Sequence, residues 1–329
     1  MTARSNSLGV LIPTRNSAAL LPAHLESMAE WIDLADEIVV VDSASRDGTL
    51  ELLRQALAGR PARFLAHPPG LYQSWNFGLQ NIGAKYVYIS TIGDAITRPG
   101  LEHLRQLAAQ TPCDAVLSKP RFVTEAGEPA PEQRWPIDDV FERLTFPESV
   151  VLTPADQLIF SLTNLHGALL GSSASNLYRT ACLRERPFPV DFGTVGDGAW
   201  VMQNMLDVRL VATRGRFSTF RFHEKSYSLA DYQVDSLSLK LFRLAQQSLR
   251  QRAADPRVAQ WLQELRWPEL EAAMEISFAD HACLESHRHK SIPWFFHGAA
   301  WRARARRNDA ENLIRAIKDE ILARRSVAA

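Results

Sequence analysis

Polar side chains follow three of the apolar runs that predict β-strands near the start of this 329-residue chain. Pro13, Thr14 and Arg15 follow the first run, Asp42 follows the second, and Asp94 follows the fourth. In an open parallel sheet the carboxyl ends of the strands share one edge, and ligands bind there. We therefore expect these five residues to line one ligand-binding edge, where carboxylate oxygens can hold a divalent cation.

No glycine-rich phosphate-binding sequence accompanies these residues. The first strand is not followed by GxGxxG, and GxxxxGK[ST] occurs nowhere in the chain. These observations argue against a dinucleotide-binding fold and against a P-loop. A divalent metal held by oxygen ligands can instead bridge a diphosphate and stabilise the negative charge that develops as the diphosphate leaves.

The first third of the chain alternates short apolar runs with helical patterns, which indicates a mostly parallel α/β sheet with helices on both faces. The predicted strands are 8–12, 37–41, 63–66 and 86–90. Asn16 and Thr49 are predicted to cap two helices, Ser74 to open a third, and Pro99 to be the first residue of a fourth. These elements would carry the polar residues to the carboxyl edge of the sheet.

The rest of the chain changes character twice. The segment 125–154 is rich in proline and acidic residues, lacks periodicity and is interpreted as an insertion or lid. The strands and the helix predicted around it are 115–117, 174–178, 197–206, 210–213 and 217–222. From 229 to 329 the chain is predicted to be helical, with breaks at Pro256, Pro268 and Pro293.

Composition favours an ordinary globular protein. The 37 basic and 37 acidic residues balance, so the chain lacks the net positive charge that would favour nucleic acid as a partner. The three cysteines are far apart and lack CxxC spacing, which argues against a disulfide framework and a structural zinc site. A polar N-terminus and the absence of any apolar run of about 20 residues predict a cytoplasmic protein.

Over residues 8–228 the chain resembles the inverting glycosyltransferases of the GT-A fold, especially their second sequence family. The segments that carry the resemblance are VLIPTRN, IVVVDSASRDGT, PPGLYQSWNFGLQNIGAKYVYISTIGD, GDGAWVMQNM and RFHEKSYS, in the order of the family. The resemblance implies a GT-A-like, Rossmann-like domain with a helical C-terminal extension. It also implies transfer of a sugar, with inversion, from a nucleotide-diphosphate sugar to an acceptor hydroxyl.

The resemblance assigns the donor-binding roles to residues after the first two strands and in the third helix. Those expected to contact the nucleoside are Pro13, Thr14, Arg15 and Asp42. Asn76 is expected beside the donor. A UDP-sugar is the expected donor because the family uses it most, while dTDP- and GDP-sugars stay open as alternatives.

The resemblance also assigns the chemistry. Asp94 would bind a magnesium or manganese ion and the donor diphosphate. Asp197 would be the general base that takes the proton from the acceptor hydroxyl. His223 would be a further metal or diphosphate contact, with Lys225 nearby as a phosphate partner.

Two departures from the family pattern leave alternatives open. The metal motif is Ile92-Gly93-Asp94, with one carboxylate where the family commonly has two, and the later acidic motif is reduced to Gly196-Asp197. The reduced metal motif motivates a second hypothesis, a catalytically silent nucleotide-sugar-binding protein. A nucleotidyltransferase is the weaker alternative, because the loop 13–16 offers only Arg15 as a basic residue.

We divide the chain into a nucleotide-sugar-binding half (1–121), an acceptor-side half of the same domain (122–228) and a helical C-terminal region (229–329). The acceptor, whether a sugar, a lipid-linked molecule or a protein, cannot be identified from the sequence. In the C-terminal region the aromatic segment 292–296 precedes an arginine-rich run at 302–307. This pattern suggests a peripheral membrane contact, although aromatic packing on the catalytic domain is the preferred interpretation.

Overall fold

Two β-sheets organise the first two-thirds of the computed structural model, which describes residues 6–163, 169–222, 234–288 and 298–328. The larger sheet has eight strands in the order β3-β2-β1-β4-β9-β6-β10-β8, and the smaller has the order β5-β11-β7. The strands are β1 Leu8–Thr14, β2 Glu37–Asp42, β3 Ala62–Ala66, β4 Tyr86–Ile89, β5 Ala95–Ile96, β6 Ala115–Ser118, β7 Arg121–Val123, β8 Ser149–Val151, β9 Leu177–Arg179, β10 Leu210–Thr213 and β11 Ser218–Arg221.

Helices cover the larger sheet and form the C-terminal part of the chain. They are α1 Leu21–Ala29, α2 Thr49–Ala56, α3 Leu71–Gln80, α4 Arg98–Gln110, α5 Pro136–Arg143, α6 Pro154–Leu162, α7 Thr180–Glu185, α8 Gly196–Asn204, α9 Val234–Arg252, α10 Pro256–Glu264, α11 Trp267–Arg288 and α12 Gly298–Ala328. The predicted α/β class with a helical C-terminal extension is confirmed.

Strands β3, β2, β1 and β4 are parallel neighbours, so their carboxyl ends share one edge, as the sequence predicts. Their side chains alternate between two cores. Leu11 and Val39 face one core, and Val10 and Ile38 face the other, with all four side chains fully buried. Burial on both faces explains why these strands consist of nearly continuous apolar residues.

The sheet stops being parallel at β9. This strand is antiparallel to both β4 and β6. The strand predicted over 174–178 is therefore only partly right, because Ser173–Ser175 form a 3-10 turn before β9. The Ser172 hydroxyl accepts a hydrogen bond from the backbone N–H of Ala174 (3.3 Å). Such a side-chain bond favours a turn over an extended strand.

Two helix-start predictions were wrong. Asn16 does not cap α1; it lies in the left-handed region (φ 48°), and its side chain accepts a bond from Arg46 N–H instead. Ser74 does not open α3, which begins three residues earlier, after Gly70. In both cases a tertiary or backbone requirement overrides a preference that is only statistical.

The segment 125–154 contains regular structure that its sequence pattern did not indicate. It includes α5 and β8, and β8 closes the larger sheet as an antiparallel edge strand beside β10. The C-terminal helices pack on this half of the protein. Lys318 of α12 and Asp139 of α5 form an ion pair in which both side chains are about nine-tenths buried. Of the predicted helix breaks, those at Pro256 and Pro268 match helix starts, and Pro293 lies outside the described residues.

The close packing of α3 on β1 and β2 generates a test of the fold. A Cβ atom at Gly78 would lie 2.3 Å from Leu11 Cδ1 and 2.9 Å from Val41 Cγ2. We expect Gly78→Ala to lower the free energy of unfolding by about 1–3 kcal/mol in urea denaturation, despite the better helix propensity of alanine. Gly83→Ala is the matched control, because the nearest atom there is 3.6 Å away. Equal stability of the two variants would contradict this packing.

Candidate active site

Thr14 and Asp42 are paired neighbours at the carboxyl ends of β1 and β2. Both side chains are buried, with exposed fractions of 5% and 6%. Thr14 Oγ1 and Asp42 Oδ1 have no hydrogen-bond partner among the described residues. Buried polar atoms normally have a partner, so these two oxygens suit a ligand that donates hydrogen bonds at this edge.

Side chains tie together the loops that follow β1 and β2. Asn16 N–H donates to Ser45 Oγ (2.9 Å), and Arg46 N–H donates back to Asn16 Oδ1 (2.9 Å). Ala18 N–H donates to Asp47 Oδ2 (2.9 Å). These bonds hold the two loops together next to Thr14 and Asp42.

Asp94 lies in the turn between β4 and β5 and is 8% exposed. Its Oδ1 accepts a bond from Arg221 N–H (3.0 Å) and its Oδ2 accepts one from the Ser172 hydroxyl (3.2 Å). Burial raises the pKa of Asp94 to about 7, although both bonds oppose the shift. Gly93 permits this turn, because its φ of +107° is one that other residues rarely adopt.

His24 of α1 contacts the Asp94 turn, and the sequence pattern did not indicate this contact. Its Nδ1 is 3.0 Å from the Asp94 carbonyl oxygen, and its Nε2 is 3.1 Å from Ser90 Oγ. A carbonyl only accepts, so Nδ1 carries the proton and donates. Burial lowers the pKa of His24, which keeps the ring neutral and leaves Nε2 to accept from Ser90.

Asp197 lies in the first turn of α8, where the helix dipole favours a carboxylate. Its Oδ1 accepts a bond from Gly198 N–H (2.7 Å). Burial raises the pKa of Asp197 to about 6, against the effect of bonds from Gly198 and from the Tyr72 hydroxyl. A carboxylate with this pKa is mostly ionised at neutral pH and can accept a proton.

The segment from Ser172 to Tyr178 connects the surroundings of the two carboxylates. Ser172 bonds Asp94, and the next residue, Ser173, accepts a bond from the Tyr178 hydroxyl (3.4 Å). Burial raises the pKa of the Tyr178 phenol, and the charge of the nearby Asp197 carboxylate adds to the shift. Asp94 and Asp197 therefore both lie near the same short segment of chain.

The other predicted site residues have varied surroundings. Pro13 is half-buried at the end of β1, and Arg15 is exposed just beyond it. The Asn76 amide bonds both backbone groups of Phe188, at 2.8 and 2.9 Å, and so anchors the loop that precedes α8. The predicted residues His223 and Lys225 lie outside the described part of the chain.

Within the described ranges, no group of three or more His, Cys, Asp or Glu side chains could hold a metal ion. Asp94 is the one predicted metal ligand that these ranges include. A single carboxylate is compatible with magnesium or manganese when substrate phosphates and water supply the remaining oxygens.

The described helices include none long and apolar enough to cross a membrane.

Burial of Asp94 generates a stability prediction. Its folded-state pKa of about 7 exceeds the ordinary value of 3.8, so ionisation costs folding free energy as the pH rises from about 4 to about 7. In metal-free protein, Asp94→Asn should raise the Tm by a few degrees at about pH 8 and by less at about pH 5.

The control for this measurement is Asp191→Asn, which removes an exposed carboxylate. We expect no comparable gain in Tm from the control at either pH. A gain from Asp94→Asn that was the same at both pH values would contradict the buried, partly protonated carboxylate.

The family comparison concerns the first half of the chain. Residues 9–157 match the model for glycosyl transferase family 2. That segment includes β1, β2, β4 and the Asp94 turn. A search of curated protein sequences finds no significant match.

Solved structures share the fold at low sequence identity. S. aureus TarS 1-349 in complex with UDP-GlcNAc superposes with a TM-score of 0.59 at 16% identity, covering 96% of this chain and 89% of TarS 1-349. The mannosyltransferase PcManGT from Pyrobaculum calidifontis, in complex with GDP-Man and Mn2+, gives a TM-score of 0.55 at 18% identity, covering 96% and 86%. The chain therefore shares the fold of these two glycosyltransferase structures, and its residues 9–157 match glycosyl transferase family 2.

Proposed function

We propose that this enzyme transfers a sugar, with inversion at the anomeric carbon, from a nucleotide-diphosphate sugar to an acceptor hydroxyl. The observation that carries the proposal is that two carboxylates, those of buried Asp94 and half-buried Asp197, both lie near the segment from Ser172 to Tyr178. The structural relatives crystallised with UDP-GlcNAc and GDP-Man support a nucleotide sugar as donor.

In this reaction Asp197 takes the proton from the acceptor hydroxyl. The acceptor oxygen attacks the anomeric carbon from the face opposite the nucleotide, a new C–O bond forms, and the bond from that carbon to the diphosphate breaks. The electron pair leaves with the nucleoside diphosphate. Partial burial raises the basicity of Asp197 relative to an exposed carboxylate while leaving it ionised above about pH 6.

The donor side of the proposal uses the residues after β1 and β2. Thr14 and Asp42, paired at the carboxyl ends of β1 and β2, are the proposed nucleoside contacts. Pro13 shapes the same edge and Arg15 supplies a positive charge. Asn76 contributes by holding the Phe188 loop, and its direct contact with the donor stays a prediction.

Asp94 is the proposed ligand of a magnesium or manganese ion, and His223 and Lys225 stay predicted metal and diphosphate contacts. PcManGT was crystallised with Mn2+, which supports a divalent ion in this fold. Such an ion, when bound, would neutralise charge on the leaving diphosphate. The Asp94 carboxylate is held in place for that purpose by Ser172 and by Arg221 N–H.

The proposal includes the division into a donor half (1–121), an acceptor half (122–228) and a helical region (229–329).

Exposed Arg302 and Arg304 on α12 support the peripheral membrane contact as a hypothesis. The aromatic segment 292–296 lies outside the described residues. Vesicles containing anionic lipid test the contact by flotation, and a cytoplasmic location stays a prediction.

A nucleotide-binding protein without turnover is the second candidate, favoured by the single carboxylate of the Ile92-Gly93-Asp94 turn. Asp197→Asn separates the two candidates. For the enzyme we expect turnover to fall by about 100-fold or more while donor affinity changes little, because the proton acceptor is lost and the donor contacts remain. Release of nucleoside diphosphate measures turnover. Unchanged release after the substitution would remove Asp197 as the base.

Asp94→Ala tests the donor and metal assignment independently. We expect weaker binding of UDP-GlcNAc or GDP-mannose, and loss of the gain in affinity that manganese gives the wild type. A thermal-shift screen of UDP, GDP and dTDP and their sugars, with and without manganese, identifies the donor first. Calorimetry then compares the two proteins, and identical manganese effects in both would refute the assignment.

A further inference from the structure

Gly196, the residue before Asp197, leaves space for the ring of Tyr72. A Cβ atom at Gly196 would lie 2.4 Å from Cδ2 and Cε2 of that ring, and 2.7 Å from the Pro189 carbonyl oxygen. The φ of Gly196 is −64°, which any residue can adopt. Glycine is therefore required here for space, because the Tyr72 ring occupies the volume that a side chain at position 196 would need.

The Tyr72 ring is fixed in one position. It is 3% exposed and packs on Trp75 and Phe188, with ring centroids 5.2 and 5.4 Å away. Its hydroxyl lies 3.1 Å from the Thr194 carbonyl oxygen and also faces the Asp197 carboxylate. A phenol has one proton to donate, so these two acceptors compete for it.

We propose that Tyr72 is a positioning residue for the base, whose hydroxyl donates to ionised Asp197 and turns to the Thr194 carbonyl once Asp197 has taken the acceptor proton. This inference rests on the proposed role of Asp197. The exchange costs little rearrangement, because the ring stays in place and only the O–H bond rotates.

Two tyrosine hydroxyls lie near Asp197. Tyr72 from α3 and Tyr178 from β9 both interact with its carboxylate. Burial raises the pKa of both phenols, so both are neutral at physiological pH. The Tyr178 hydroxyl donates to Ser173 and accepts from the Asn176 amide, so Tyr72 is the phenol that can turn from the Thr194 carbonyl to Asp197.

The first experiment measures Asp197 directly and does not depend on activity. Protein labelled with ¹³C at the Asp carboxyls is titrated by NMR, and Asp197→Asn assigns the Asp197 signal. We expect a pKa of about 6 in the wild type and a higher value in Tyr72→Phe, because the ionised form loses a donor. The matched control is Tyr86→Phe, since Tyr86 is another buried phenol that donates to a carbonyl, that of Ala108 (2.8 Å). Equal Asp197 titrations in all three proteins would overturn the proposal.

The second experiment uses hydrolysis of UDP-GlcNAc, with water as acceptor and UDP release as the signal. Water gives its proton to Asp197, its oxygen bonds to the anomeric carbon, and UDP leaves with the electron pair. Tyr72→Phe should lower the rate roughly tenfold at about pH 6 and by less at about pH 8, with UDP-GlcNAc affinity and Tm close to wild type. A loss equal at both pH values would overturn the proposal. Hydrolysis that survives Asp197→Asn would instead refute the base itself, and the NMR titration would still decide the Tyr72 contact.

Discussion

Removal of carboxylates from water is the constraint on which the site depends. Neither Asp94 nor Asp197 forms a salt bridge with any described residue, and each accepts hydrogen bonds from neutral donors. Burial raises the pKa of both, although the nearby charge of Arg221 opposes the shift at Asp94. Ionising a poorly solvated carboxylate costs free energy, but such a carboxylate binds a cation or a proton more strongly than an exposed one does.

The supporting contacts come from parts of the chain that are far apart in sequence. The bonds to Asp94 link residues 78 and 127 positions away, and the Tyr72 bond to Thr194 spans 122 positions. The eight-stranded sheet makes these meetings possible, because β4, β9 and β6 are adjacent although long segments separate them in the chain. Function in this protein is therefore a property of the assembled sheet, and no single motif contains it.

This distance also explains what could be predicted from the sequence. The parallel strands and the shared edge with Thr14, Asp42 and Asp94 follow from apolar runs and the polar residues after them, and both were predicted correctly. The roles of Ser172 and His24 could not be predicted, because nothing local marks a buried serine or histidine as the partner of a distant carboxylate. The helix 197–206 was recognised within two residues, whereas the tyrosine against its first turn was not.

The departures from the family pattern acquire a physical meaning in the assembled structure. In the Ile92-Gly93-Asp94 turn, the middle position has a positive φ that favours glycine, and its carbonyl accepts a bond from Arg221 Nε (3.2 Å). At Gly196 the space that a side chain would need holds the Tyr72 ring. In each motif one carboxylate remains and is held by neighbours from another part of the chain. A second carboxylate close to either one would raise the cost of ionisation further, so a site built on single buried carboxylates gains more from neutral donors such as Ser172 and Tyr72 than from more acidic residues.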